Sequence, residues 1–252
     1  MEAIFGSTTQ PNPSFWEIRA VNIWHKTGSE MQNFSERSYI GGVPMLPNGE
    51  SVPVFSKTGR EMTFFFQIKF PDDHKWRGHI VSVFMVTDYA DADTYLPDLP
   101  SPLRAASLNR EFFSNYQTFF RIFIFEEGDA SFCNSYTQVL AFHELHTSVP
   151  AQGASVAFAR IHDRPEWILD DEAPDNYEGD VKAVTFLFQT RIDYDFKKVP
   201  GAPRQQVENT IAGGTGFVDK FSDNYNLFVA NELYFFGIND GDDRHIYIVP
   251  QS

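Results

Sequence analysis

The 252 residues carry 34 acidic against 20 basic side chains, a net charge of −14, with 42% hydrophobic and 16% aromatic content. Such a balance disfavours direct contact with nucleic acid or anionic lipid, which need a positive field, and the apolar content argues against a disordered chain. A single cysteine, Cys133, excludes an intrachain disulfide and a Cys-rich zinc site. The charge is uneven: residues 1–126 hold 11 Lys and Arg against 14 Asp and Glu, while residues 127–252 hold 9 against 20, so the second half carries −11 of the −14.

In chain order, residues 1–14 read as a flexible polar tail punctuated by Pro11 and Pro13, with neither the basic nor the apolar region of a secretory signal. No apolar run approaches the ~20 residues of a membrane span, so the cytoplasm is the expected compartment and no membrane contact is expected. Phe15 to Trp24 alternates imperfectly, as a first strand would. Tyr39 to Gly49 is turn-dense, with Gly41-Gly42 and Pro44 forcing a tight corner. Met62 to Phe70 then forms a continuous apolar run, too short for a helix and suited to a strand buried on both faces. After a polar connection, His79 to Thr87 is the next antiparallel strand.

Ser101-Pro102 reads as an N-cap followed by proline at the first helical position, and predicts a helix over 103–116. Strands are predicted at Phe119–Phe125 and Ser155–Ile161. Residues 170–180 form an acidic loop holding Asp170, Asp171, Glu172, Asp175, Glu178 and Asp180 with no base among them. Ile211 to Gly216 is a second glycine corner. Glu232 to Val249 reads as a hairpin turning at Asn239 to Asp243.

The run Thr63-Phe64-Phe65-Phe66-Gln67 is nearly repeated at Thr185-Phe186-Leu187-Phe188-Gln189, an offset of 122 residues (185 − 63). A repeat near half the chain length predicts two related half-domains. The expected fold is therefore α+β and β-rich, with mostly antiparallel sheets in two similar halves and few helices. It forms one domain over 15–252, its halves spanning about 15–165 and 181–252 and joined by an acidic loop at 166–180. Gln67 and Gln189 read as neutral amides that satisfy backbone groups at strand ends.

Three short motifs resemble the YwqG-like family: the corner Gly41-Gly42-Val43-Pro44 with Leu46-Pro47, the strand ends Phe66-Gln67-Ile68 and Phe188-Gln189, and Leu233-Tyr234-Phe235-Phe236. One departure stands out, since Gly213-Gly214 follows Gln189 instead of preceding it and lacks the proline. The resemblance implies a mixed α+β fold of two β-rich halves and an origin among bacterial toxin and immunity genes.

Candidate chemistry is sparse. His143-Glu144-Leu145-His146 spaces its histidines by three, where the zinc-protease motif needs four, and no third ligand lies nearby. Asp88, Asp91 and Asp93 lack the glycine and distal glutamate of a calcium loop. Cys133 has no nucleophile motif around it. Neither catalytic residues, metal nor cofactor are expected, and the acidic clusters favour a basic protein partner. The functional expectation is a non-enzymatic immunity protein that occludes a basic toxin. Its contact residues would be Asp170, Asp171, Glu172, Asp175, Glu178 and Asp180, then Asp240, Asp242 and Asp243. The alternatives are a metal-dependent hydrolase built on the histidine cluster, or a small-ligand binder with a Phe-lined pocket.

Overall fold

A computed structural model describes residues 21–25, 31–89, 96–148, 157–192, 194–206, 223–228, 231–241 and 243–252. The predicted tail, the 211–216 corner, Asp91, Asp93 and Asp242 lie outside the described residues.

Ten strands form one sheet, and they are numbered here in chain order: β1 (Val21–His25), β2 (Tyr39–Ile40), β3 (Thr63–Lys69), β4 (His79–Met85), β5 (Phe120–Glu126), β6 (His143–Ser148), β7 (Ala159–Ile161), β8 (Val184–Thr190), β9 (Glu232–Asp240) and β10 (Asp243–Gln251). Their order across the sheet is β10-β9-β8-β7-β1-β6-β2-β3-β4-β5, and every neighbouring pair is antiparallel. The fold is thus β-rich and antiparallel with very few helices, as the sequence predicts.

The Phe runs act on both faces of this sheet. A β-bulge interrupts the β3–β4 register between Phe64 and Phe66, and another interrupts β8–β9 between Phe186 and Phe188. A bulge inserts one residue and lets two successive side chains serve the same side. Phe64 accordingly packs with Tyr39, Ile80 and Phe84 in one cluster, while Phe65 and Phe66 both join the larger core. In that core Phe66 from one wing of the sheet meets Phe188 and Phe235 from the other, at ring-centroid distances of 6.2 and 6.1 Å. The sheet is therefore curled on itself.

Its two edge strands are drawn together by Tyr116. This fully buried hydroxyl receives the Ile248 N–H of β10 at 2.8 Å, and the ring lies edge-on to Phe120 of β5 at 5.2 Å. Burial pushes the Tyr116 hydroxyl well above the ordinary phenol range, so it stays a neutral hydrogen-bonding group.

The predicted helix over 103–116 is corrected to a short α1 (Arg110–Ser114), capped by Asn109, whose side chain accepts the Phe112 N–H at 2.8 Å. The Ser101-Pro102 bond is cis and caps no helix. Residues 104–105 form a turn, with Ala105 at φ +50°, and Ser107–Leu108 is held extended by parallel pairing with Asn176–Tyr177. The tertiary contacts of Phe112, Phe113 and Tyr116 with Tyr247 and His245 then fix the remaining turn.

The glycine corner behaves as read: Gly41 and Gly42 have φ of +57° and +73°, and a Cβ on Gly41 would lie 2.3 Å from the Ala141 carbonyl oxygen.

Candidate functional site

The two acidic stretches, which are 60 residues apart in sequence (240 − 180), meet on one residue, Arg110. Residues 170–180 belong to the connection between β7 and β8, and β9 ends at Asp240. The N–H of Asp175 donates to Ala106 O at 2.8 Å and that of Glu178 to Leu108 O at 2.9 Å, which lays the acidic segment along 104–110. Arg110 then ties both groups together. Its guanidinium contacts Asp240 Oδ2 at 2.5 Å, its backbone N–H donates to Glu178 Oε1 at 2.8 Å, and Tyr177 donates its hydroxyl to the same Asp240 oxygen at 2.9 Å. The Arg110 guanidinium and the Tyr177 hydroxyl hold the Asp240 carboxyl below the usual carboxylate range.

Most of the other predicted contact residues also have structural partners. Asp170 pairs with Arg104 across an exposed surface. Glu172 accepts from Gln251 Nε2 at 2.9 Å, and that amide also holds the Asp170 carbonyl and the Leu169 N–H. Asp171 accepts the Ala173 N–H at 3.0 Å, and Asp180 caps a short 3₁₀ turn through the Lys182 N–H at 2.9 Å. Asp175 and Asp243 are exposed. These bonds turn an acidic loop into a fixed surface, with every carboxylate of 170–180 except Glu172 exposed.

Sequence reasoning missed the apolar part of this surface. Ile168, Leu169 and Val181 are 44%, 61% and 61% exposed, directly flanking the carboxylates. The hydrophobic pair at 168–169 is visible in the sequence, but an exposed position cannot be read from a single pair. Its exposure follows from the Leu169 N–H bonding to buried Gln251 and the Ile168 N–H to the Tyr234 hydroxyl, which spend the backbone on the core and turn the side chains outward.

The histidine cluster is a strand and not a helix, and residues three apart on a strand point to opposite faces. His143 and His146 are therefore separated by the sheet. Glu144 is buried and reaches His146 Nε2 at 3.0 Å, an ion pair when the imidazole is protonated. No group of three His, Cys, Asp or Glu among the described residues is arranged to hold a metal ion. Asp88 pairs with Arg60 at 3.4 Å, and Cys133 Sγ lies 3.4 Å from Ser135 Oγ.

A cleft of about 860 Å³ opens at the start of β6, lined by Gln138, Phe142, His143, Lys197, Lys198 and Asp223 together with small and apolar residues. Backbone bonds from Ala141 N to Lys197 O (2.8 Å) and from Lys198 N to Asp223 O (3.0 Å) fix its walls. One phenylalanine, Phe142, lines this cleft.

Among the described residues no helix is long and apolar enough to cross a membrane. Compared with protein-family models and with curated protein sequences, the chain matches none.

Proposed function

We propose that this chain is a non-enzymatic immunity protein that binds and occludes a basic toxin through the face built by residues 168–181 and Asp240. The observation that carries the reading is the union of the two acidic stretches on Arg110, bordered by the exposed Ile168, Leu169 and Val181. Exposed apolar side chains beside charged ones suit a protein interface, and fixed carboxylates steer a cationic partner without ordering costs at the moment of contact. The concentration of charge in the second half and the YwqG-like motifs favour the same assignment, and the single cysteine suits a cytoplasmic site of action. The repeated Thr-Phe-x-Phe-Gln run, with a bulge at the same place in both strands, supports reading the fold as two related halves.

The test begins with capture of basic proteins from source lysate at low salt, release at high salt, and co-expression of each with this chain to find one whose toxicity it relieves. Reversing Asp171, Asp175 and Asp180 to Lys should then slow association with that protein by about tenfold or more at low salt and flatten the salt dependence. Neutralisation and an on-rate unaltered by the three reversals would remove this face from the interface.

A second reading rests on the cleft beside β6. Its volume falls in the range of small-molecule sites, and Lys197 and Lys198 supply cationic character in an acidic protein, so a small anionic ligand is the occupant it would suit. Thermal stabilisation by a carboxylate or phosphate metabolite, lost in Lys197→Ala/Lys198→Ala, would favour this reading over the immunity assignment.

A further inference from the structure

The 122-residue offset extends beyond the two Gln strands. Starting from the centre of the sheet and moving outward, one wing reads β1, β7, β8, β9, β10 and the other β6, β2, β3, β4, β5. Chain order would place β1 with β2 to β5 and β6 with β7 to β10. We infer that the chain is a covalently joined pair of five-strand units, β1–β5 and β6–β10, related by a two-fold axis, and that each unit has lent its first strand to the other.

The register of the central pair supports this directly. Antiparallel β1 and β6 align Ile23 with Thr147, Trp24 with His146, and His25 with Leu145. Adding 122 carries residue 23 to 145, 24 to 146 and 25 to 147. The pairing maps onto itself with Trp24 and His146 on the axis, whereas a slip by one residue would put the axis between residues and exchange hydrogen-bonded for non-hydrogen-bonded pairs, which no two-fold permits. In the core the equivalent residues Phe66 and Phe188 touch each other, as positions beside a two-fold axis must.

Contacts away from the axis come in matched pairs. The Leu187 backbone hydrogen-bonds His74, and the counterparts of those two residues, Phe65 and Phe196, pack edge-to-face at 4.9 Å. The connections from second to third strand of each unit, 41–62 and 162–183, both hold 22 residues (62 − 41 + 1 and 183 − 162 + 1). In each the fifth residue donates its backbone N–H to the Gln of the following strand, Met45 to Gln67 at 3.3 Å and Glu166 to Gln189 at 2.8 Å. The bulges at 64–66 and 186–188 obey the 122-residue offset, from which the connections and their donors Met45 and Glu166 depart by one residue.

The exchange has a physical consequence. Parting the units would strip β1 from both β6 and β7 and β6 from both β1 and β2, exposing ladder groups and apolar faces together. The units should thus hold each other folded with no covalent link between them. The experiment inserts a protease recognition sequence between Asn134 and Ser135, an exposed turn between β5 and β6, in the full chain, and cuts it to completion. The pieces should co-elute at the size of the intact chain and unfold in one transition whose midpoint rises with protein concentration.

Ile23 and Leu145 are buried equivalents in the central strands. In the cut protein, truncating either to Ala should weaken association of the pieces by about thirtyfold or more, the lower end for a buried aliphatic side chain, and by similar factors. Should cutting unfold the protein, the same two substitutions in the uncut chain must lower its unfolding midpoint equally. Pieces that part while each keeps its sheet, or one costly and one neutral substitution at 23 and 145, would overturn the inference.

Discussion

Gly237 stands in the middle of β9, where a side chain is ordinarily an asset, and its backbone needs no left-handed conformation. Space accounts for the glycine. A Cβ there would lie 2.3 Å from Cζ2 of Trp76, 2.7 Å from Cε2 and 2.8 Å from Cη2, against an ordinary carbon–carbon contact of about 3.5–4.0 Å. More than an ångström must be cleared, and Trp76 is 3% exposed and packed against Phe70, so the indole cannot swing away. Gly237→Ala should therefore cost about 3 kcal/mol, the upper end for overpacking, and lower the thermal midpoint by about 6–12 °C in a chain of this size. Trp76→Phe removes the clashing atoms and sacrifices no hydrogen bond to Nε1, which finds no acceptor among the described residues. In a double-mutant cycle followed by far-UV circular dichroism in urea, the pair should be more stable than the sum of the singles by at least about 1 kcal/mol. Additive losses, or a neutral Gly237→Ala, would refute the packing argument.

Two other substitutions test the interior. Gln67 is fully buried, and its Oε1 accepts from Ser82 Oγ, Tyr39 Oη and Met45 N, so Gln67→Leu should cost about 3 kcal/mol or more in urea unfolding by stranding several donors. Gln189→Leu should cost less, because its partners at Glu166 and Glu232 lie nearer solvent. For pH, burial holds the His74 imidazole down from 6.5 to about 4. A histidine with a depressed folded value binds fewer protons in the native state, so its share of stability is intact above about pH 6.5 and declines as pH falls towards 4, by up to about 3 kcal/mol. His74→Asn keeps an acceptor for the Trp76 N–H, which His74 Nδ1 receives at 3.0 Å, and should flatten that acid decline. An unchanged slope between pH 6.5 and 4 would exonerate His74.

The strands were legible where a single physical demand shaped the residues. A short Phe-rich run closed by Gln suits only a strand buried on both faces, and the hairpin at 232–251 follows from its turn residues. The helix over 103–116 was misjudged because capping signals act locally, whereas Ser107 and Leu108 are claimed by Asn176 and Tyr177 nearly 70 residues away. Both acidic stretches stood out in the sequence, but their meeting on Arg110 did not, since one arginine with a carboxylate 130 residues distant leaves no local trace. The order of the strands across the sheet was equally hidden. Alternation tells which face a residue occupies and says nothing about which strand lies beside it.

The paired 22-residue connections show how far surface and core can drift apart. Residues 41–62 hold two bases, Lys57 and Arg60, against Glu50 and Glu61, while 162–183 set Arg164 and Lys182 against eight carboxylates. Equal length and the same amide anchor evidently do not require negative charge, because the neutral connection fills its place without it. The two connections thus give the protein a lopsided electrostatic coat, and a cationic partner would find one landing side per molecule and bind one to one.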